Sequence, residues 1–179
     1  MHLLILHLAH IFGGAEKSTA HLLSYLDRSQ IRRITLVAPA ALKPHLPEAY
    51  DLFVDAASYL LESGFTTLDA LHRDARATGE LLRALEPDVA LGMMHYSSSL
   101  LAFGARLAGV RTRTIASYRG PFYEHIRRYE QDLQRRDFLQ AVVAETALLV
   151  DRVIVPSQGM VDELQQRFRT PISKIVVIP

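Results

Sequence analysis

His2-Leu3-Leu4-Ile5-Leu6-His7-Leu8-Ala9-His10-Ile11-Phe12-Gly13-Gly14-Ala15-Glu16-Lys17-Ser18 is the stretch on which the fold turns. It opens with a short run that is apolar at nearly every position. Such a run suits a strand covered on both faces, as strands of a parallel sheet are. The glycine pair breaks that run. Beyond it, Thr19, Leu22, Leu23 and Leu26 fall on one stripe of a helix over Ala15–Leu26. Strand, tight turn and helix in that order make the first half of a βα unit.

Working outward, the same alternation continues to the end of the chain. Strands are expected at Leu3–Leu8, Arg33–Ala38, Leu52–Asp55, Val89–Met93, Arg113–Ser117, Arg152–Val155 and Ile175–Ile178. Arg113–Ser117 is less purely apolar than the rest and is expected nearer a sheet edge. Further helices are expected at Leu68–Leu85, closed by Pro87, and at Ser99–Ala108, closed by Gly109. A long segment, Tyr123–Leu149, and then Gly159–Phe168 complete the set. Residues 39–50, with Pro39, Pro44 and Pro47, read as an irregular loop. The implied architecture is α/β, a doubly wound parallel sheet with helices on both faces.

The 179 residues suit one large α/β domain, and a chain of that length buries roughly 70% of its unfolded surface. There is no cysteine, which removes disulfides, thiolate zinc sites and cysteine nucleophiles together. A reduced, intracellular setting is the natural expectation. Twenty basic against 19 acidic residues give a net charge of +1, without the basic excess of a nucleic-acid module. The apolar start lacks the basic leader and cleavage site of a signal peptide. No apolar run approaches the ~18 residues of a membrane span.

Gly13 and Gly14 carry the strongest local signal. Glycines there permit positive φ and let a ligand approach the backbone without meeting a Cβ. The free amides and positive dipole end of the following helix suit a phosphate. The alternative is a tight strand-to-helix turn and nothing more. The spacing is neither the dinucleotide fingerprint nor a Walker loop.

The run Leu6–Lys17, with its Gly-Gly-Ala-Glu-basic turn, resembles the opening of glycosyltransferase family 4, retaining enzymes of the GT-B fold. Three later segments are similar to the family in the same order. Glu86-Pro87-Asp88-Val89 resembles its Pro-Asp-Val strand entry. Val150–Met160 resembles its aspartate, strand, serine, helix segment. Lys174–Pro179 resembles the start of its Ile-Pro-Asn-Gly hinge. The resemblance implies that residues 1–179 form the amino-terminal, Rossmann-like acceptor-side domain. A carboxy-terminal donor-binding domain would lie outside this chain and would carry the family's paired glutamates.

What the resemblance implies chemically is transfer of a sugar from a nucleotide-sugar to a glycan or lipid-linked acceptor, as in cell-envelope polysaccharide synthesis. The nucleotide-sugar would be a co-substrate, with no cofactor and no metal. Gly13 and Gly14 would meet the donor phosphate or sugar across the cleft. Met93-Met94-His95-Tyr96-Ser97-Ser98-Ser99 falls at a strand's carboxyl end, where open α/β sheets gather ligands. In the family a His near this point often lines the acceptor side, so His95 is a candidate contact. The alternative is that Ser97 or Ser98 caps the next helix and His95 is an ordinary loop residue.

At the end of the next strand, Ser117-Tyr118-Arg119-Gly120-Pro121 stands where many members carry a sugar-contacting His. Tyr118 and Arg119 replace it here and are candidates for acceptor or sugar contact. A guanidinium fork matches phosphate or carboxylate oxygens bidentately. No catalytic residue is assignable from the sequence. Ile126–Phe138 sets two arginine pairs beside Ile126, Tyr129 and Leu133. Interspersed acids make an ordinary solvated helix the first reading, and a basic face resting on anionic lipid the second. Peripheral contact with the inner face of the membrane and a cytoplasmic location are the matching expectations. No HExxH, Asp-x-Asp or Gly-x-Ser-x-Gly occurs. The readings kept beside the transferase are a nucleotide-sugar 2-epimerase of the same shape and a non-catalytic binding module.

Overall fold

Leu3, Leu4, Ile5 and Leu6 are buried in succession, so the first strand has a hydrophobic layer against each of its faces. The computed structural model describes residues 1–8, 13–58 and 67–179. Among these, β1 (His2–His7), β2 (Arg33–Ala38), β3 (Leu52–Asp55), β4 (Val89–Met93), β5 (Arg113–Ser117), β6 (Arg152–Val155) and β7 (Ile175–Val177) form one sheet. Its order is β3-β2-β1-β4-β5-β6-β7, and every pairing is parallel. The order reverses between β1 and β4. Their register runs from Leu3↔Val89 to His7↔Met93, which brings the two carboxyl ends level.

The helices are α1 (Gly14–Tyr25), α2 (Leu68–Leu85), α3 (Met94–Ala108), α4 (Phe122–Tyr129), α5 (Leu133–Leu149) and α6 (Gln158–Phe168). Leu23 of α1 packs with Leu3, Ile5, Ile34 and Leu36 on one side of the sheet. Leu71, Leu82, Leu100 and Val142, from α2, α3 and α5, pack with Leu4, Leu6 and Val37 on the other. Met160, Val161 and Leu164 of α6 pack with α5 and with Val153 and Val155. The helices α2 and α3 cross at two glycines: a Cβ on Gly104 would lie 2.7 Å from the Ala75 carbonyl oxygen and 2.9 Å from the Gly79 nitrogen.

Four expectations are corrected by the structure. First, β5 is interior, between β4 and β6. Its polar end is held by Asp151, whose carboxylate accepts the Thr114 amide at 2.7 Å. Second, α3 begins at Met94 rather than Ser99. The serines do not cap it; Ser98 Oγ and Ser99 Oγ bond back to the carbonyls of Met94 and His95 from inside its first turns. Gly92 makes room for this, since a Cβ there would lie 2.5 Å from Ser98 Cα.

Third, the expected helix Tyr123–Leu149 is two helices. Residues 130–132 leave the helical path, and the Asp132 carboxylate restarts it by capping the amides of Gln134 and Arg135 at 2.8 and 3.2 Å. Fourth, neither glycine of the Gly13-Gly14 turn uses positive φ. Gly14 is the first helical residue of α1 and Gly13 lies at φ −147°, whereas Gly109 alone among the described glycines has positive φ. The loop over 39–50 contains a 3₁₀ turn, Ala40–His45, which buries Leu42.

Candidate functional site

Ligands of open α/β sheets bind outside the carboxyl ends of the strands, at the point where the order reverses. Here that point lies between the ends of β1 and β4. The segments that leave there are the glycine turn into α1 and the Met94 elbow into α3. The end of β5 is adjacent, so the topology brings all five sequence candidates to one rim.

At the first of these ends, His7 closes β1 with its ring fully buried. Its Nε2 lies 2.9 Å from Glu16 Oε1, and its Nδ1 lies 2.7 Å from Thr19 Oγ1. The other oxygen of Glu16 accepts the Gly13 amide at 2.6 Å. This is the backward half of a capping box, the half a glycine N-cap can still use. Burial lowers the His7 pKa, against the opposing pull of Glu16. Burial alone would raise the Glu16 carboxyl; bonds from its own amide, His7 and Gly13 outweigh it and hold the group below its ordinary value.

At the second end, the chain turns from β4 into α3 through Met94 at φ 69°, a left-handed conformation uncommon for a residue with a side chain. That turn delivers His95 inward. Its ring is 6% exposed and sandwiched between Tyr118 (centroids 4.2 Å apart, planes at 18°) and Phe122 (4.0 Å, 21°). Burial, with the nearby charge of His125, pushes its pKa down to about 3. His95 is therefore neutral at physiological pH. Its ring makes no hydrogen bond to any described residue.

The third end is Ser117-Tyr118-Arg119. Ser117 Oγ, Tyr118 Oη and Arg119 Nε are all buried without a hydrogen-bond partner among the described residues. Each such group costs about 1–3 kcal/mol while it stays unpaired. Burial raises the Tyr118 hydroxyl, which stays protonated. The start of α4 is fixed by Glu163 of α6, whose Oε1 accepts the Phe122 amide at 2.9 Å.

Between the α3 elbow and α4 lies an open cleft of about 460 Å³. His95, Met94, Gly120 and Phe122 line its inner part, and Glu124, His125, Arg128 and Tyr129 line its α4 wall. Tyr118 stands behind His95, and half-buried Arg119 is next to the lining rather than in it. A larger hollow of about 830 Å³ lies at the opposite rim, against Glu86, Asp88, Arg111 and Arg113 at the amino ends of β4 and β5. That is the wrong end of the sheet for a ligand of this fold. Among the described residues no three His, Asp or Glu side chains converge as a metal site would require.

Sequence reasoning passed over His7 and the role of Glu16 and placed Thr19 only on an apolar stripe; it did not single out Phe122, Glu124 or His125, and it took Arg128 only as one of an arginine pair on a solvated or lipid-facing helix. One signal was available. Glu16, Thr19 and Leu23 share the buried face of α1, so a carboxylate stood on an apolar stripe and needed a partner. The clamp around His95 had no such signal, because Phe122 reaches it only through the path of the chain after β5.

A seven-stranded parallel sheet with this order and this rim is a Rossmann-like domain of the GT-B type. Within that class the chain belongs to glycosyltransferase family 4, whose sequence profile matches residues 12–179. No curated protein sequence matches it. Among solved structures it is similar to Anabaena Alr3699/HepE in complex with UDP and glucose, at 18% identity and a TM-score of 0.68. That match covers 98% of this chain and 43% of HepE. It is also similar to the lipopolysaccharide outer core galactosyltransferase WaaB (11%, 0.63), covering 99% of this chain and 45% of that one. The UDP-GlcNAc 2-epimerase of Methanocaldococcus jannaschii matches equally well in shape (15%, 0.63; 99% and 45%). The chain thus spans less than half the length of the solved proteins it matches.

Proposed function

We propose that this chain is the acceptor-side half of a two-domain retaining glycosyltransferase that moves a hexose from a nucleotide-sugar to a glycan or lipid-linked acceptor. The observation that carries the reading is the clamped, neutral His95 at the carboxyl edge of the sheet. A ring pinned on both faces, with no partner for its nitrogens among the described residues, is preorganised to bond a substrate hydroxyl. With a pKa near 3 it is a poor base and bears no charge for a phosphate. Its role is orientation. Arg119 and Tyr118 supply donors beside it, and Gly13-Gly14 admits the donor phosphate or sugar to the amides of α1.

The coverage of 43–45% of the matched structures supports a second, donor-binding domain. Departure of the nucleotide would be assisted by helix dipoles and basic side chains, without a metal or other cofactor. Cell-envelope glycan synthesis at the cytoplasmic face, with peripheral contact to the membrane, is the setting this reading favours. No described helix is long and apolar enough to cross a membrane.

The test is His95→Phe in the two-domain protein, which keeps the stack and deletes the ring nitrogens. A lost contact of about 1.5–3 kcal/mol lowers kcat/KM roughly ten- to hundredfold. Unchanged kinetics with a folded variant remove His95 from the site. The epimerase alternative rests on a likeness in shape that equals WaaB's at a TM-score of 0.63. It separates cleanly: an epimerase interconverts the nucleotide-sugar without any acceptor, and a transferase needs one.

A further inference from the structure

The glycine turn rests on the buried His7–Glu16 pair. Beneath it the His7 ring, Glu16, Thr19 and the half-buried Gly13 amide make one continuous hydrogen-bonded chain, with all three side chains buried. Its protons can be assigned by elimination. An ionised Glu16 only accepts, so it takes the Gly13 N–H at one oxygen and the His7 Nε2–H at the other. The imidazole is neutral, so Nδ1 is then bare and accepts the Thr19 hydroxyl. Every polar group in the chain is satisfied, and the single negative charge sits in the first turn of α1, where the helix dipole favours it.

This arrangement has a consequence for the turn. Of the unsatisfied amides that open a helix, Gly13's is taken by Glu16. Those of Gly14 and Ala15 find no acceptor among the described residues. The carboxylate therefore fixes the chain at Gly13 and takes neither of the next two amides, which no other described residue accepts. The imidazole in turn fixes the carboxylate, held from behind by Thr19.

We propose that His7 and Glu16 are positioning residues for this turn: the buried pair holds Gly13 in place so that the amides of Gly14 and Ala15 stay open to an anionic group of the donor, such as a nucleotide diphosphate. This rests on the reading of Gly13-Gly14 as the donor-phosphate turn. Neither side chain touches the ligand. What the pair supplies is shape, and any group that reproduces its hydrogen bonds serves as well as the native one.

That equivalence makes the proposal testable by rescue. In Glu16→Gln the amide oxygen accepts the Gly13 N–H and the amide nitrogen donates to His7 Nε2. The ring then takes its other tautomer and donates from Nδ1 to Thr19 Oγ1, whose own proton turns to the Ala15 carbonyl at 3.2 Å. All bonds survive without the charge. The Kd for UDP, measured by calorimetry on the two-domain protein, stays within about threefold of wild type for Glu16→Gln and rises about tenfold or more for Glu16→Ala. A second pair covers the case in which Glu16→Ala does not fold. His7→Gln places its amide where Nε2 was and still holds Glu16. His7→Asn reaches only the Thr19 side and releases it. His7→Gln stays within about threefold of wild type, and His7→Asn weakens UDP by about tenfold.

Gly14→Ala is the control for the underlying reading, because its methyl obstructs the turn without touching the pair. If Gly14→Ala weakens UDP and the Glu16 and His7 series is flat, or if Glu16→Gln is as weak as Glu16→Ala, the positioning role is overturned and the turn's role stands. If Gly14→Ala itself leaves UDP binding unchanged, the reading of the turn falls and the inference with it.

Discussion

Gly14→Ala should raise stability and lower activity in the same molecule. Gly14 is helical, has no positive φ, and a Cβ built on it meets no described residue within 4 Å. The described residues therefore raise no steric objection to alanine. Removing glycine's freedom from the unfolded chain and adding helix propensity contribute up to about 0.5–1 kcal/mol. At a helix's first residue the lower figure applies, and about 0.5 kcal/mol corresponds to a rise in Tm of roughly 1–2 °C for a domain of this size. Catalysis answers to a different quantity. If a donor phosphate must reach the amides of Gly14 and Ala15, the added methyl displaces it from a charge-assisted bond worth about 1.5–3 kcal/mol. That is a roughly ten- to hundredfold loss of kcat/KM. The assay pairs a thermal melt of this chain with steady-state kinetics of the two-domain protein. A fall in Tm of more than about 2 °C would mean the glycine is needed for packing after all. Kinetics within about twofold of wild type would mean that nothing approaches the turn closely.

Four other outcomes are expected. Because His95 is held near 3 in the fold and titrates near 6.5 when unfolded, the unfolded chain protonates first, so stability is complete above about pH 6.5 and falls by about 1.4 kcal/mol per unit below it. Buried His7 adds to the same slope, His95→Phe should flatten part of it, and a Tm that is level between about pH 7 and 4.5 would contradict it. Gly104→Ala drives a methyl against the backbone of α2; an overpacking cost of about 1–3 kcal/mol less about 1 for helix propensity leaves a drop of up to about 8 °C, and an unchanged melt would mean the helices can slide apart. Arg119→Ala should lower kcat/KM of the two-domain protein roughly ten- to hundredfold and Arg119→Lys by part of that, whereas equal activity in both removes the guanidinium from the site. Incubated alone with nucleotide-sugars and acceptors, this chain should give neither transfer nor hydrolysis above blank, and robust turnover would refute the half-enzyme reading.

All seven strands were legible, and the reason is physical. A strand buried on both faces leaves an aliphatic run that hardly any other environment tolerates, so Leu3–Leu6 and Leu36–Ala38 announce themselves. What misled was polarity read as exposure. Arg113 and Thr114 suggested an edge, yet β5 is interior, because polar residues at the amino end of a strand can be satisfied by a neighbour such as Asp151. The serines of α3 misled in the same way. Serine favours caps when its hydroxyl has nothing better to do, but here all three are buried and bonded to backbone: Ser97 accepts the Leu8 amide after β1, Ser98 donates back to Gly92 of β4, and Ser99 donates to His95 within α3. The break between α4 and α5 depends on Asp132, one carboxylate in a stretch crowded with charge, and nothing in the local pattern distinguished it from Asp137.

The site was legible to the degree that the sheet order was. Once β1 lies beside β4, the turn at Gly13, the elbow at Met94 and the end of β5 must share a rim, whatever their side chains do. Sequence could therefore nominate His95, Tyr118 and Arg119 by place alone. It could not say what state they would be in, because that depends on neighbours distant along the chain. His95 is neutral owing to Tyr118 and Phe122 closing over it, and Phe122 is where it is owing to Glu163 capping α4 from another helix. His7 differs, since its partners are close in sequence, though on the next element. A histidine at the end of an apolar strand and a glutamate on an apolar helical stripe are each anomalies when taken alone. Read together, two buried polar groups nine residues apart across a single βα turn have little choice but to find one another.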